Sequence, residues 1–298
     1  MNTDIIKNIV IVALSTLIVL FSVLIFFDER AYVLTAEEKS NIESLLNRNG
    51  FNLSPEVQMP AYFRPMHRVN LQNYEHDTIA IVSRFFGDAS FETDYEIGST
   101  FFYNDILLKD VELIVNTNEL IFISYYGFLP EGVQAGFART AAAAVELGLM
   151  FIHDVLGVTD IVHFSTSLTQ RGEYVLVFFA EIDGLLVYNS QVRMRIAEQG
   201  IVHVTYSHMT QSGQSEYMYP IFSVDEALLS LTHHMRAVYE VYEIVTIIDI
   251  QLVHAHDNVR NLSTPAYLFS LVVDGRLHFN YLINALTNTY LKSDMAMR

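Results

Sequence analysis

Apolar and polar positions follow two different periods along most of this chain, and the places where one period gives way to the other mark its elements. The first segment follows neither. Residues 9–27 form an unbroken run of nineteen in which only Ser15, Thr16 and Ser22 are polar. As a helix rising 1.5 Å per residue, such a run spans roughly the ~30 Å hydrocarbon core of a bilayer. A secretory signal peptide is the rival reading. Its apolar stretch is usually about 7–15 residues and ends at a small-x-small cleavage site, whereas here the run leads into Phe26-Phe27-Asp28-Glu29-Arg30 without one. The expectation is therefore a retained single transmembrane helix over 9–27, preceded by a short cytoplasmic stub over 1–8. Within it Asn8, Ser15 and Ser22 recur every seven residues and share one face. Small and hydroxylated residues let membrane helices approach closely, which makes the three a candidate partner-facing stripe; serine is also simply tolerated there.

Helical periodicity follows over 36–48, with Ile42, Leu45 and Leu46 on one face, Thr35 as N-cap and Asn49-Gly50 as the stop. Pro55, Pro60 and Pro65 mark an extended connector to about residue 70, so 28–70 reads as a juxtamembrane helix and linker. A first unit, 71–135, combines a short helix from Asp77 with strands over 91–103, 107–115 and 120–126. A second, 136–210, opens with a helix over 137–156 and continues through strands at 161–168, 174–181, 185–195 and 201–206. A third, 211–298, opens at Ser223, where Glu226 three residues later completes a capping-box signature. It continues helically to about 241 and then as strands over 245–253, 266–273 and 277–283. Asp183-Gly184-Leu185-Leu186-Val187-Tyr188-Asn189 aligns without a gap on Asp274-Gly275-Arg276-Leu277-His278-Phe279-Asn280. Asp-Gly between strands favours a type I′ hairpin, and the matching residues beyond the turn suggest duplication. The predicted fold class is α+β: an N-terminal membrane helix followed by repeated helix-on-antiparallel-sheet units, PepSY-like, forming an extracytoplasmic ectodomain.

Composition narrows the function classes. The 298 residues carry 17 Lys+Arg against 34 Asp+Glu, a formal net charge of −17. That sign repels phosphate and argues against nucleic acid as a partner. With 51% hydrophobic residues the chain is too apolar to be disordered. The absence of cysteine removes disulfide scaffolds, thiolate zinc sites, thiol nucleophiles and cysteine-linked lipid anchors together. Residues 1–27 contain Asp4 and Lys7 and are neutral, so all of the net charge falls on 28–298. With so few charges beside the run the positive-inside rule is nearly silent; a small stub and a large acidic remainder fit a cell-membrane protein with its C-terminal body outside, and the reverse orientation stays open.

The chain carries no assembled catalytic motif. GxSxG, GxxxxGK[ST] and GxGxxG are all absent, and Gly132 and Gly136 lie in a loop without the phosphate-binding lysine. The pairs Glu37-Glu38 and Asp225-Glu226 stand at helix starts, where the macrodipole accounts for them. His254 and His256 on one strand face, Asp257 beside them and His233-His234 on the preceding helix are the only histidine-rich candidate for a metal, without His-Glu-x-x-His spacing. No catalytic residue, cofactor or metal ligand is assigned. Asn52-Leu53-Ser54 and Asn261-Leu262-Ser263 match a glycosylation acceptor, a pattern too short to weigh much. Tyr217, Tyr219, Tyr239 and Tyr242 cluster near the third unit, suited to a protein interface and equally to ordinary strand composition.

Two stretches carry a family resemblance. Residues 34–51, ending Leu45-Leu46-Asn47-Arg48-Asn49-Gly50-Phe51, and the closing series Pro265-Ala266-Tyr267, Asp274-Gly275 and Tyr281-Leu282-Ile283-Asn284-Ala285-Leu286-Thr287-Asn288 resemble the YycI/YycH group of Gram-positive regulatory proteins, YycI more than YycH. Family members typically finish in Asn-Ala-x-Thr-Gly; here Asn288 stands in for the glycine, and Asn also tolerates the left-handed region. The resemblance implies a non-enzymatic accessory regulator of a WalK-like sensor histidine kinase in a two-component system for cell-wall homeostasis. It would act with a YycH-like protein through transmembrane and ectodomain contacts, its membrane-contact role falling on 9–27. An anchored PepSY-like binding or inhibitor domain, acting on an extracytoplasmic peptidase or wall ligand, is the alternative.

Overall fold

The computed structural model describes residues 11, 14–20, 35–60, 64–73, 78–86, 91–96, 99–103, 111–116, 119–130, 132–238, 244–257 and 262–295. Among them are four labelled helices: α1 (Ala36–Arg48), α2 (Thr78–Phe86), α3 (Ala141–Phe151) and α4 (Val224–Val238). The strands are β1 (Phe51–Leu53), β2 (Met66–Asn73), β3 (Glu92–Glu96), β4 (Ser99–Tyr103), β5 (Val111–Asn116), β6 (Leu120–Phe128), β7 (Ile161–Leu168), β8 (Tyr174–Ile182), β9 (Leu185–Ala197), β10 (Gly200–Ser207), β11 (Met209–Tyr219), β12 (Val245–Asp257), β13 (Leu262–Val273), β14 (Leu277–Asn284) and β15 (Thr289–Met295).

The expectation of separate helix-on-sheet units is corrected. The strands hydrogen-bond into one mixed sheet in the order β11-β2-β13-β12-β9-β10-β6-β5-β4-β3, with β1, β14–β15 and β7–β8 branching from it. The cause is strand length. β9 and β12 each run 13 residues; one edge of each is paired along nearly its whole length, by β8 and by β13, and the other edge is shared between two partners at different heights. Leu186 and Val187 of β9 pair in parallel with Val253 and His254 of β12. From Gln191 onward β9 pairs antiparallel with β10. β2 inserts between β11 and β13, with Val69 opposite both Gln214 and Ser263. Hairpin alternation specifies the antiparallel pairs, but nothing local to β12 specifies the parallel pairing that joins the halves.

The expectation of a single-pass membrane protein is corrected as well. No helix among the described residues is long and apolar enough to cross a membrane. Of 9–27, residue 11 and residues 14–20 are described, and they are helical. The transmembrane assignment and the cell-membrane location built on it fall with that finding.

Two cores lie under the helices. In the larger, α2 and α3 pack on β4–β10 and β2 through Ile81, Phe85, Leu147 and Phe151. Phe85, Phe122, Phe128 and Phe151 form its centre, with ring centroids 4.6–6.0 Å apart, within the range where offset and edge-on pairs attract. Gly148 lets α3 sit close on β8: a Cβ there would stand 2.9 Å from Phe178 Cζ. Helix α3 runs on as a π-helical turn, Ile152–Leu156, closed by Gly157 at φ 73°. In the second core α1 and α4 cover β12–β14 through Leu46, Leu228, Leu231 and Phe269. Thr35 and Glu38 form a reciprocal capping box on α1, and Ser223 bonds Glu226 at the start of α4. The aligned Asp-Gly pairs are both left-handed turns, with Asp183 at φ 52° and Asp274 at φ 50°.

Candidate functional site

A bulge in β9 organises the other face of the sheet. Val187 lies opposite Ala180 and Gln191 opposite Phe179, which leaves Tyr188, Asn189 and Ser190 without partners in β8. Such insertions bend a strand and re-aim its side chains. Each of the three is put to a different use. Asn189 Oδ1 accepts the backbone N–H of His256 at 3.0 Å, tying β9 to β12 beyond their short parallel pairing. Tyr188 joins a third buried cluster with Phe179, Val253, Ala266 and Leu282 on the sheet face away from the two helix-covered cores. Ser190 turns inward, with no exposed surface.

Above that third cluster β7–β8–β9 and β13–β14–β15 diverge, and a cleft of about 780 Å³ opens between them. One wall carries Phe164, Ser165, Thr166, Ser167, Val177 and Arg193; the other carries Ser270, His278, Phe279, Asn280 and Lys292. Tyr188 and Phe179 stack at 6.1 Å in its floor, and Lys292 Nζ stands 4.9 Å from the centre of the Tyr188 ring, a cation–π arrangement. Among the described residues lining the cleft there is no Asp or Glu. Alternation accounts for this face: Val192, Met194 and Ile196 of β9 point into the larger core, so Gln191 and Arg193 point away from it. The neighbouring Arg195 is answered by Glu173, Nε to Oε2 at 3.7 Å. Volume and lining fall in the range of binding sites, which pair apolar surface with a few directed polar groups.

The fold also assembles a serine, a histidine and an aspartate that the sequence leaves far apart. Ser190 Oγ and His208 Nδ1 are 3.0 Å apart, and His208 Nε2 lies 3.5 Å from Asp160 Oδ1. Burial lowers the His208 pKa, while the Asp160 carboxylate opposes the shift. This is not a nucleophilic triad. Ser190 is fully buried, and its oxygen already accepts the Met209 N–H at 3.0 Å, so no substrate carbonyl can reach it. The nitrogens are also used in the opposite order to a Ser-His-Asp hydrolase, where Nε2 faces serine and Nδ1 faces the acid. The cluster is structural: His208 sits between β10 and β11, where the chain leaves one half of the sheet for the other.

The histidines singled out from sequence are not brought together. His254 is 2% exposed in β12 with Nδ1 unpartnered, and burial lowers its pKa against the pull of Asp183. His256 N–H is held by Asn189. His233 is exposed, whereas His234 stacks on Tyr290 at 4.1 Å. Among the described residues no group of three His, Asp or Glu is placed to hold a metal ion. Of the stripe, Ser15 is an exposed helical residue, and Asn8 and Ser22 lie outside the described residues. Tyr217 is exposed, Tyr219 lies under Arg68 at 4.4 Å, and Tyr239 and Tyr242 lie outside the described residues. The cleft itself went unread in the sequence; its one signal was two arginines on the polar face of a strand in an acidic chain.

No family model matches this chain, and no curated protein matches it. Among solved structures it is similar to an uncharacterized protein from Eubacterium rectale ATCC 33656, with a TM-score of 0.53 at 12% identity over 82% of this chain and 91% of that one. The Bacillus megaterium YpeB C-terminal domain aligns with a TM-score of 0.41 at 13% identity over 76% of this chain and 100% of that one, a likeness too distant to carry an argument. The first shows that this fold occurs elsewhere; neither establishes membership in the YycI/YycH group.

Proposed function

We propose that this chain is a non-catalytic binding protein that regulates a partner by holding an extended segment of it in the cleft between β7–β9 and β13–β15. The observation that carries this reading is the cleft's lining of hydroxyls, amides, aromatic rings and cations, in which the Thr166 hydroxyl lies 2.8 Å from His163 Nε2. The single Ser-His-Asp alignment described above is buried and closed to substrate. The YycI/YycH resemblance of residues 34–51 and 265–288 supplies the partner class, a WalK-like sensor histidine kinase with a YycH-like protein beside it. Regulation then requires only that the chain bind one conformation of the kinase better than another, and its effect is bounded by that difference in affinity.

A photo-crosslinking residue placed at Thr166 or Asn280, one on each wall, tests this in the native cell. The expected product is a histidine kinase, or a YycH-like protein, whose loss from the crosslink accompanies a change in kinase autophosphorylation. Crosslinks to a peptidase would replace the kinase as the regulated partner. Crosslinking from exposed Tyr217 but from neither wall would overturn the cleft as the site.

A further inference from the structure

What β7 gives to the cleft is the edge of a strand. Five consecutive residues, 164–168, border the space, although side chains along a strand alternate between its two faces. Ser167 pairs with Val175, which lines the cleft, while Thr166 pairs with Leu176, which is buried in the larger core. The five have only the strand's edge in common. Among the described strands β7 pairs with β8 alone, so that edge presents backbone groups without a strand partner. Two bonds fix which groups these are: Thr169 N–H donates to Glu173 O at 2.8 Å, and Glu181 N–H donates to Asp160 O at 3.0 Å. Bonding to a neighbour alternates along an antiparallel strand. Counted from Thr169, Ser167 and Ser165 turn their N–H and C=O to β8, and Leu168 and Thr166 turn theirs outward. Counted from Asp160, Ile161 and His163 turn theirs outward, and the register shift between His163 and Ser165 joins the two counts.

We infer that the partner's segment binds as a β-strand added to β7, its main chain bonding the outward groups of Thr166 and Leu168; the inference rests on the cleft being the partner site. A row of open N–H and C=O groups is complementary to another extended backbone. The other described edges longer than three residues are guarded against such pairing. β3 carries Glu92, Asp94 and Glu96, β15 carries Lys292 and Asp294, and β11 carries Glu216 and two register shifts, and charge and irregularity are how edges are ordinarily blunted. Residues 161–168 contain no Asp, Glu, Lys, Arg or Pro, and their ladder is regular from Ser165 to Leu168. The occupant is a single segment and not the edge of a second folded copy. The cleft of about 780 Å³ takes one extended stretch of about five residues, ~17 Å long, and leaves no room for a sheet behind it. On one face the added strand meets Phe164, Ser165 and Ser167, and on the other Thr166 and Leu168, which is 63% exposed. Hydroxyl and apolar neighbours on both faces suit uncharged, β-branched residues.

A fluorescent decapeptide alternating Thr and Val tests this against the full chain, beside the same peptide with every interior backbone nitrogen methylated. By anisotropy the parent peptide is expected to bind at least tenfold more tightly than the methylated one. On saturation, hydrogen exchange at the Thr166 and Leu168 amides should slow at least tenfold, with Ser165 and Ser167, already bonded to β8, unchanged. Leu168→Pro removes an outward N–H at an edge, where proline is tolerated, and should weaken binding at least tenfold; Leu168→Val keeps the N–H and should not. Circular dichroism checks the fold of the proline variant, and the exchange measurement stands without it. No binding of the parent peptide, equal binding of the two peptides, unchanged exchange at Thr166 and Leu168, or binding that survives Leu168→Pro overturns the inference. So does a dimer in light scattering that Leu168→Pro dissociates, which would make a second copy the occupant. Failure here is separable from failure of the functional reading: crosslinks from Asn280 to the partner that persist in Leu168→Pro keep the cleft as the site and remove only the added strand.

Discussion

Gly148→Ala sets two effects of similar size against each other, and the packing of α3 decides between them. In an exposed helix interior the change stabilises by roughly 0.5–1 kcal/mol, because alanine loses less backbone freedom on folding. At this position the new Cβ stands 2.9 Å from Phe178 Cζ, 3.1 Å from Leu176 Cδ1 and 3.2 Å from Phe178 Cε2. Both neighbours are fully buried, and Phe178 is a rigid ring, so relief requires the helix or the strand to shift. Overpacking of this kind costs about 1–3 kcal/mol. The net expectation is destabilisation by about 1 kcal/mol, read as a lower urea midpoint at unchanged slope. Repeating the substitution in a Phe178→Leu background, where the ring is gone, should recover the alanine's helix preference, so the double variant is more stable than the two single effects added. A Gly148→Ala protein more stable than the parent would refute the close approach of α3 to β8.

Phe122→Ala empties the centre of the four-ring cluster and should cost about 3–5 kcal/mol in urea unfolding; a loss below 1 kcal/mol would mean those rings do not pack as described. Ser190→Ala leaves the Met209 N–H and His208 Nδ1 without their buried partner. It should cost about 2 kcal/mol, read as a lower urea midpoint. The buried histidines give the protein a pH dependence of definite sign. His203, His208 and His254 have lowered pKa values, burial being the largest cause for each. Below their ordinary value of 6.5 the unfolded chain therefore binds protons that the folded chain refuses, so stability is full above about pH 6.5 and falls as pH drops through it. Urea midpoints at pH 7.5 and 5.5 measure this, and a higher midpoint at pH 5.5 would refute it.

What could be read in the sequence was local. Thr35 and Glu38, Ser223 and Glu226, and the two Asp-Gly turns are each fixed by residues a few positions apart, and the structure has them where the spacing put them. The alternation of 161–168 and 174–181 likewise specifies strands. Residues 209–219 and 289–295 went unread as strands because Gln211-Ser212-Gly213-Gln214-Ser215-Glu216 and Lys292-Ser293-Asp294 lack apolar alternation; they are strands because β2 and β14 offer them partners. The helix expected over 137–156 begins later, at Ala141, after Thr140 caps it. The cleft depends on the β9 bulge and on the parallel pairing of β9 with β12. Both are long-range choices that no window along the chain contains, so the two Asp-Gly turns were visible and the space between their hairpins was not. Asp160, His208 and Ser190 meet for the same reason.

The insertion of β2 between β11 and β13 also fixes an order of events during synthesis. Val69 must wait for Gln214, 145 residues later, and Phe51 must wait for Val245. At about 5–20 residues per second the ribosome needs roughly 7–29 s to deliver the partner of Val69. Throughout that interval β2 has an apolar face and two open edges. The α2–α3 half, whose strands β3–β10 lie close together in the chain, can close first, whereas the α1–α4 half cannot begin its sheet until β12 emerges. A chain cut before residue 245 therefore leaves β1 without its partner and β2 paired on one edge alone, with β11.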